Sequence, residues 1–288
     1  MTMFRLASSL LKTAAVAAAF WSSITLAQVE FPAASPRAQI DQKVGLTDIK
    51  VGYSRPSAKG RAIFGGLVPY GQVWRTGANA ATTVTFQHDV RLEGNVVRGG
   101  TYALYSIPGA EEWTVILSNN TELWGATGYD PSSDALRFTV KPQELAQKVE
   151  TFVIGFEALN DDGAVMHLDW EHVRVPIKIE TTDDVRIRAA LANQMPPLQD
   201  AGAGLLYSAA AYLRSHGGDL KQAQVWIDAA AERRPEAFWI LFEKAQIEAA
   251  RGDESAVRSA RTALEKARSA GADNGMIYEI ESFINAHS

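Results

Sequence analysis

The chain has 288 residues, enough for one large or two modest domains, and with 47% hydrophobic and 21% charged residues it has the composition of a globular protein with a core. It contains no cysteine, which excludes disulfides, thiolate metal sites, a cysteine nucleophile and a lipid-modified cysteine anchor. Its formal charge of −5 makes nucleic acid and anionic membrane surfaces poor partners.

The chain opens with a targeting pattern. Arg5 and Lys12 form a basic start, and an uncharged apolar run follows from Thr13 to Leu26. Thr25-Leu26-Ala27 places small residues at the two positions read by a signal peptidase, so residues 1–27 are expected to be a signal peptide. The run is short for a membrane span of about 20 residues, and no basic stop follows it. Removal would take away two basic residues and no acid, leaving −7. The expected location is periplasmic or secreted, with no membrane span after removal of the signal.

From Arg37 to Glu180 the signal is β. "TTVTFQHDV" (82–90) alternates apolar and polar residues. "TYALYSIP" (101–108), "EWTVILS" (112–118), "LRFTVKP" (136–142), "TFVIGFEAL" (151–159), "AVMHLDW" (164–170) and "VRVPIKIE" (173–180) are short and rich in β-branched or aromatic residues. Glu93-Gly94-Asn95, Gly99-Gly100, Pro108-Gly109 and Asn160-Asp161-Asp162-Gly163 are turns between them. Many short strands without intervening helices predict an all-β antiparallel sandwich or barrel-like domain over residues 28–180. Pro176 marks its strand as an edge or a bulge.

Residues 181–200 read as a linker, because Met195-Pro196-Pro197 breaks any helix. Residues 201–288 are alanine-rich and helical. Gly218-Asp219 and Gly252-Asp253 recur 34 residues apart, each pair ending one helix and capping the next. That period, with small residues at matching crossings (Ala223 with Val257, Ala229 with Ala263), resembles tetratricopeptide repeats. Trp226, Phe238, Trp239 and Phe242 read as inter-helix core.

One stretch is unusual. No Asp or Glu occurs between Asp48 and Asp89, while Lys50, Arg55, Lys59, Arg61 and Arg75 do. In an acidic chain this local excess of cations is a physical signal. Arginine forks pair with carboxylate or phosphate in two-point geometry, and lysine adds a compact charge. Glycines let backbone N–H groups face an anion, and Tyr70 and Trp74 can wall a pocket. Arg55, Lys59, Arg61, Tyr70, Trp74, Arg75, Thr76 and Asn79 are therefore the candidate ligand-binding residues. Against this stands a structural reading, in which the same residues are solvated loop or a clamp such as Arg75 paired to acids elsewhere.

The run Tyr53-Ser54-Arg55-Pro56, Lys59-Gly60-Arg61, Ile63-Phe64-Gly65, Leu67-Val68-Pro69-Tyr70-Gly71, Val73-Trp74-Arg75-Thr76-Gly77-Ala78-Asn79 and Ala81-Thr82 resembles the signature of DUF2911, a bacterial family of unknown function. Gly99-Gly100-Thr101-Tyr102, Ile107-Pro108, Glu112-Trp113-Thr114-Val115-Ile116 and Trp124-Gly125 extend the resemblance over residues 35–180. It implies an exported protein, often with helical repeats behind the β domain, and brings no established activity or ligand.

No catalytic motif competes. Gly60 to Gly65 has P-loop spacing, but Gly66-Leu67 stands where Lys-Ser/Thr is required. No nucleophile elbow or zinc-protease helix is present. His167, Asp169 and Glu171 would share one face of a strand, an arrangement that a solvated face also predicts. Neither a metal nor a cofactor is expected. Three readings follow: a binding module for an anionic or polar small molecule or envelope component; an envelope hydrolase or transferase using the same cations; a scaffold that binds a protein partner through the helical repeats.

Overall fold

The alternating stretches form ten strands in two antiparallel sheets. The computed structural model describes residues 31–288, and the expected signal peptide lies outside them. The first sheet has the spatial order β1 (Arg37–Val44), β2 (Thr47–Ser54), β3 (Thr82–Phe86), β6 (Gly100–Ile107), β7 (Trp113–Ser118) and β8 (Asp134–Val140). The second has the order β5 (Asn95–Val97), β4 (Val90–Leu92), β10 (Gly163–Thr181) and β9 (Gln143–Glu157). Alternate residues of both sheets, among them Val51, Val84, Leu104 and Val115 from one and Phe152, Ile154, Leu168 and Ile177 from the other, bury into one core. This is the expected antiparallel sandwich-like domain.

The expected strands at 164–170 and 173–180 are one strand, β10, of 19 residues. Its pairing with β9 shifts register between Asp169 and Glu171 and again between Glu171 and Val173. Pro176 sits where β10 has left β9, at Arg174 opposite Gln143, and has not yet met β4, at Ile179 opposite Leu92. Its missing N–H therefore breaks no ladder.

The segment expected as a linker holds a helix, α1 (Asp183–Asn193), which ends before Pro196. Then come α2 (Ala203–Ser215), α3 (Leu220–Arg233), α4 (Phe238–Arg251), α5 (Ala256–Ser269) and α6 (Asn274–His287). Residues 35–288 form one compact unit. Small residues occupy the helix crossings: Ala210, Ala223 and Ala230 in one cluster, Ala245, Ala260, Ala263 and Ala267 in the next. Phe242 is buried there, whereas Trp239 is exposed. The repeat is punctuated differently in its two copies. Asp219 caps α3 through the Lys221 and Gln222 N–H groups. In the second copy Ser255 takes the cap position, and Asp253 instead pairs with Arg251 at 2.7 Å. The left-handed stop after α2 is Gly217, and Gly218 follows it close against Leu213, where a Cβ would lie 3.0 Å from the Leu213 Cα.

Candidate functional site

The acid-free stretch joins β2 to β3 by way of both sheets. At its start it runs along β9: Ser57 bridges Thr151, the Ala58 N–H donates to the Glu150 carbonyl at 2.8 Å, and the Phe152 N–H donates to the Pro56 carbonyl at 2.9 Å. A tight turn follows, with the Gly65 N–H donating to the Val68 carbonyl and the Tyr70 ring lying against Gly65. A Cβ at Gly65 would be 2.8 Å from that ring, and its φ of 81° already favours glycine. The chain then crosses to β6, where Trp74 and Ser106 exchange both backbone hydrogen bonds, at 2.7 and 2.9 Å. The stretch thus straps the edge of one sheet to the other.

Seven of the eight candidate residues fall into three groups, and Tyr70 stands apart, so they form no single pocket. Arg55, Lys59 and Arg61 lie at the β9 edge. Arg55 donates from Nε to the Phe152 carbonyl at 3.0 Å, and Arg61 donates to the Ala58 and Ser57 carbonyls at 2.9 and 2.7 Å. Lys59, at φ 50°, gives its backbone N–H to the Glu150 carboxylate at 2.6 Å. Trp74 and Thr76 are core. Trp74 is 9% exposed and packs against Phe64, Trp113, Phe152 and Trp170, and its indole N–H donates to the Gly77 carbonyl. Buried Thr76 shares a 2.9 Å hydroxyl contact with Ser106. The indole is therefore no pocket wall. Tyr70 is exposed but belongs to the Gly65 turn. Arg75 and Asn79 form the third group: the Arg75 guanidinium donates to the Asn79 carbonyl at 3.1 Å, and Asn79 donates from Nδ2 to the Ser35 carbonyl and the Ser54 hydroxyl.

Among the described residues no side chain of Arg55, Lys59, Arg61 or Arg75 pairs with a carboxylate, whereas Lys50, at the start of the acid-free stretch, pairs with Asp41. Among the described residues the ion pairs nearest the motif use Lys43, Lys50, Lys148 and Arg174, and the guanidinium groups of Arg55, Arg61 and Arg75 meet carbonyls only. The expected clamp, an arginine tied to acids of another strand, is absent at these positions among the described residues.

A flap of residues 119–133 covers the outer face of the first sheet beside Arg75. It packs Leu123, Ala126 and Tyr129 onto Ala103, Tyr105 and Ile116. Ala80 bridges Trp124, and the Tyr105 hydroxyl donates to the Gly125 carbonyl. Arg75 passes so close under Gly125 that a Cβ there would lie 2.6 Å from Nη1. Burial pushes the Tyr105 hydroxyl up, against the opposing pull of the Arg75 charge. Trp124 points outward and is 71% exposed. Its type gave no sign of this, since Trp74 in the same signature is core.

The far end of the flap is held by Tyr129, which donates to Asp134, with Arg137 reaching both. Burial, with the Asp134 hydrogen bond next, pushes the Tyr129 hydroxyl up to about 12. The folded value lies above the ordinary 10.0, so the stabilisation is complete below pH 10.0 and lost as pH climbs through about 12. Protein stability should fall over that window in the wild type and fall less steeply in Tyr129→Phe, as read by alkaline denaturation monitored by circular dichroism.

His167 and Asp169 do share the outer face of the second sheet, but Glu171 leaves it. The register shift sets Glu171 at φ 52°, and its carboxylate accepts the Ile63 N–H. Asp169 is occupied by Arg174, which donates to both its oxygens at 2.8 and 2.6 Å.

Sequence reasoning missed a cavity of about 220 Å³ where the β domain meets the helices, lined by Leu46, Asp162, Asp183, Asp184, Tyr212 and His216. No motif marks it, because its walls come from four separated segments. None of the eight candidates lines it.

Residues 35–179 match the family described as a protein of unknown function, DUF2911. That is half of the chain, and the chain belongs to this family. No curated protein and no solved structure matches it.

Proposed function

We propose that this DUF2911 protein is an exported binding module, and that it takes an anionic or polar ligand of the cell envelope at the surface around Arg75 and Asn79. The observation that carries the reading is the state of Arg75. Its guanidinium makes a single hydrogen bond, to a carbonyl, and no carboxylate neutralises it among the described residues. A half-buried cation that passes under Gly125 and has no carboxylate partner among the described residues, in a chain of net negative charge, is prepared to meet an anion. Arg55 and Arg61 also meet only backbone carbonyls, but those of Phe152, Ala58 and Ser57 along the strap and β9, whereas Arg75 lies beside Asn79 and the flap.

The test is a thermal-shift screen of the exported, full-length protein against inorganic phosphate, glucuronate and muramyl peptide, with Arg75→Ala beside it. The expected result is a probe that raises the melting temperature of the wild type and not that of the folded variant. If no probe shifts the wild type and Arg75→Ala melts far lower, the arginine is structural. The scaffold reading, which the burial of Trp74 and Thr76 inside the same signature favours, then takes its place.

A further inference from the structure

On the outer face of the first sheet the cross-strand register lines up Gln39, Gly52, Thr83 and Ala103. Their chain neighbours Val51, Val84 and Leu104 are core, so this row faces away from it. Arg37 lies across the row. A Cβ at Gly52 would sit 3.2 Å from its Nη2 and 3.2 Å from the Thr83 hydroxyl, so the glycine seats the guanidinium. Arg37 makes no side-chain hydrogen bond and no ion pair among the described residues, even though Asp41 stands on the same strand and is taken by Gln39 and Lys50. Arg37, like Arg75, has no carboxylate partner among the described residues, and it lies outside the acid-free stretch.

The row continues directly into the Arg75 surface. Ser54 stands opposite Arg37, Asn79 donates to the Ser54 hydroxyl, and Ala80 bridges the exposed Trp124. One rim therefore carries a guanidinium, a serine hydroxyl, an asparagine side chain whose amide oxygen accepts nothing among the described residues, and a bare indole. The indole is a rigid, flat surface of the kind that stacks against an apolar ring face. It is held by its backbone bridge and by Leu123 beneath the flap, so it is not exposed through local disorder. An inorganic anion has no use for that surface, and a neutral sugar has no use for two arginines that lack a carboxylate partner among the described residues. A sugar ring with a carboxylate uses both.

We propose that this face binds a carboxylate-bearing sugar chain, with Trp124 stacking on a ring and Arg37 pairing with a carboxylate. The inference rests on the binding reading above and names its ligand class. Two sources share the chemistry, uronic-acid polysaccharides and the muramic-acid disaccharide of the cell wall.

Isothermal calorimetry on the full-length exported protein separates them. The probes are tetragalacturonate, the N-acetylglucosaminyl–N-acetylmuramic acid disaccharide, and fully methyl-esterified tetragalacturonate. At least one acidic probe should bind, with Trp124→Ala and Arg37→Gln each weakening it by about tenfold, the size of one good charge-assisted or stacking contact. Tryptophan fluorescence should change on binding in the wild type and not in Trp124→Ala. Both positions are exposed, so both variants should melt with the wild type. The glycan inference falls if neither acid binds, if the neutral ester binds as well as the acid, or if both variants bind undiminished. Should inorganic phosphate alone stabilise the protein, in a way that needs Arg75, the glycan inference falls and the wider binding reading stands. Should Arg75→Ala leave every probe's effect unchanged, the wider reading falls as well.

Discussion

Replacing Trp74 with alanine should cost the fold about 3–5 kcal/mol, the range for removing a large aromatic side chain from a packed core. The indole sits at the centre of four aromatic side chains drawn from both sheets and the strap. It stacks on Trp170 at 5.9 Å and 20°, and meets Phe64, Phe152 and Trp113 edge-on at 6.0, 5.3 and 6.2 Å. The collapse that would soften such a loss is blocked on one side, because the backbone of residue 74 is tied to Ser106 by two hydrogen bonds. The Gly77 carbonyl would also lose its donor, at a position where Thr76 and Thr82 are fully buried. Urea denaturation is the measurement: a large fall in midpoint with an unchanged slope is expected. Trp74→Phe should keep part of the ring packing and lose less. A cost under about 1 kcal/mol, an ordinary surface value, would return the indole to the role of a ligand wall.

The contrast between Trp74 and Trp124 shows how far the sequence reaches. Both belong to one signature, both follow turn-forming residues, and composition treats them alike. Trp74 is core because its segment pairs with Ser106 and aims the side chain between the sheets, whereas Trp124 pairs with Ala80 on a flap lying outside the first sheet. Strand alternation and turns were enough for the sandwich, since Val84, Phe86, Leu104 and Val115 repeat at a spacing of two. Long-range pairing was needed for the rest. β9 begins at Gln143, through "QELAQKVE", a run with little β character that is held in the sheet by β10 and by the strap. Helix α1 was hidden for a similar reason. It buries little apolar surface and is secured by polar contacts: Arg188 to Asp184, Tyr212 to Asp184, and Asp183 to the β1–β2 turn. The acid-free window did locate cations without a carboxylate partner among the described residues, though Lys50 within it pairs with Asp41, and charge counting could not place Arg55 and Arg61 along the strap and Arg75 beside the flap. Nor could it find Arg37, which lies before the window and joins Arg75 only through the pairing of β1 with β2.

Asp183 carries the second large effect. Its side chain is 3% exposed, and it accepts from the Leu46 N–H at 2.6 Å, the Thr47 hydroxyl at 3.2 Å and the Arg186 guanidinium at 2.9 Å. The first two donors belong to the turn between β1 and β2, so one carboxylate fastens the β domain to the first helix. The turn is shaped for it: Gly45 has φ 55°, and a Cβ there would lie 2.5 Å from the carboxylate oxygen. In Asp183→Ala the Leu46 N–H and the fully buried Thr47 hydroxyl lose their acceptor, at about 1–3 kcal/mol each when left unsatisfied. Arg186 is largely exposed and regains water, so its share is small. Leu46 is itself half exposed, so its N–H regains some water, and a loss of about 2–4 kcal/mol is expected. Asp183→Asn keeps one acceptor oxygen and should lose less than Asp183→Ala. Amide hydrogen exchange separates this from a general weakening. Leu46 and the first turn of α1 should exchange much faster in Asp183→Ala, while Val84 and Leu104 at the centre of the first sheet follow only the global change. If the central strands speed up as much as Leu46, the contact is one support among many. If Leu46 and the first turn of α1 speed up and the central strands do not, the carboxylate is the local fastening of the β1–β2 turn to α1.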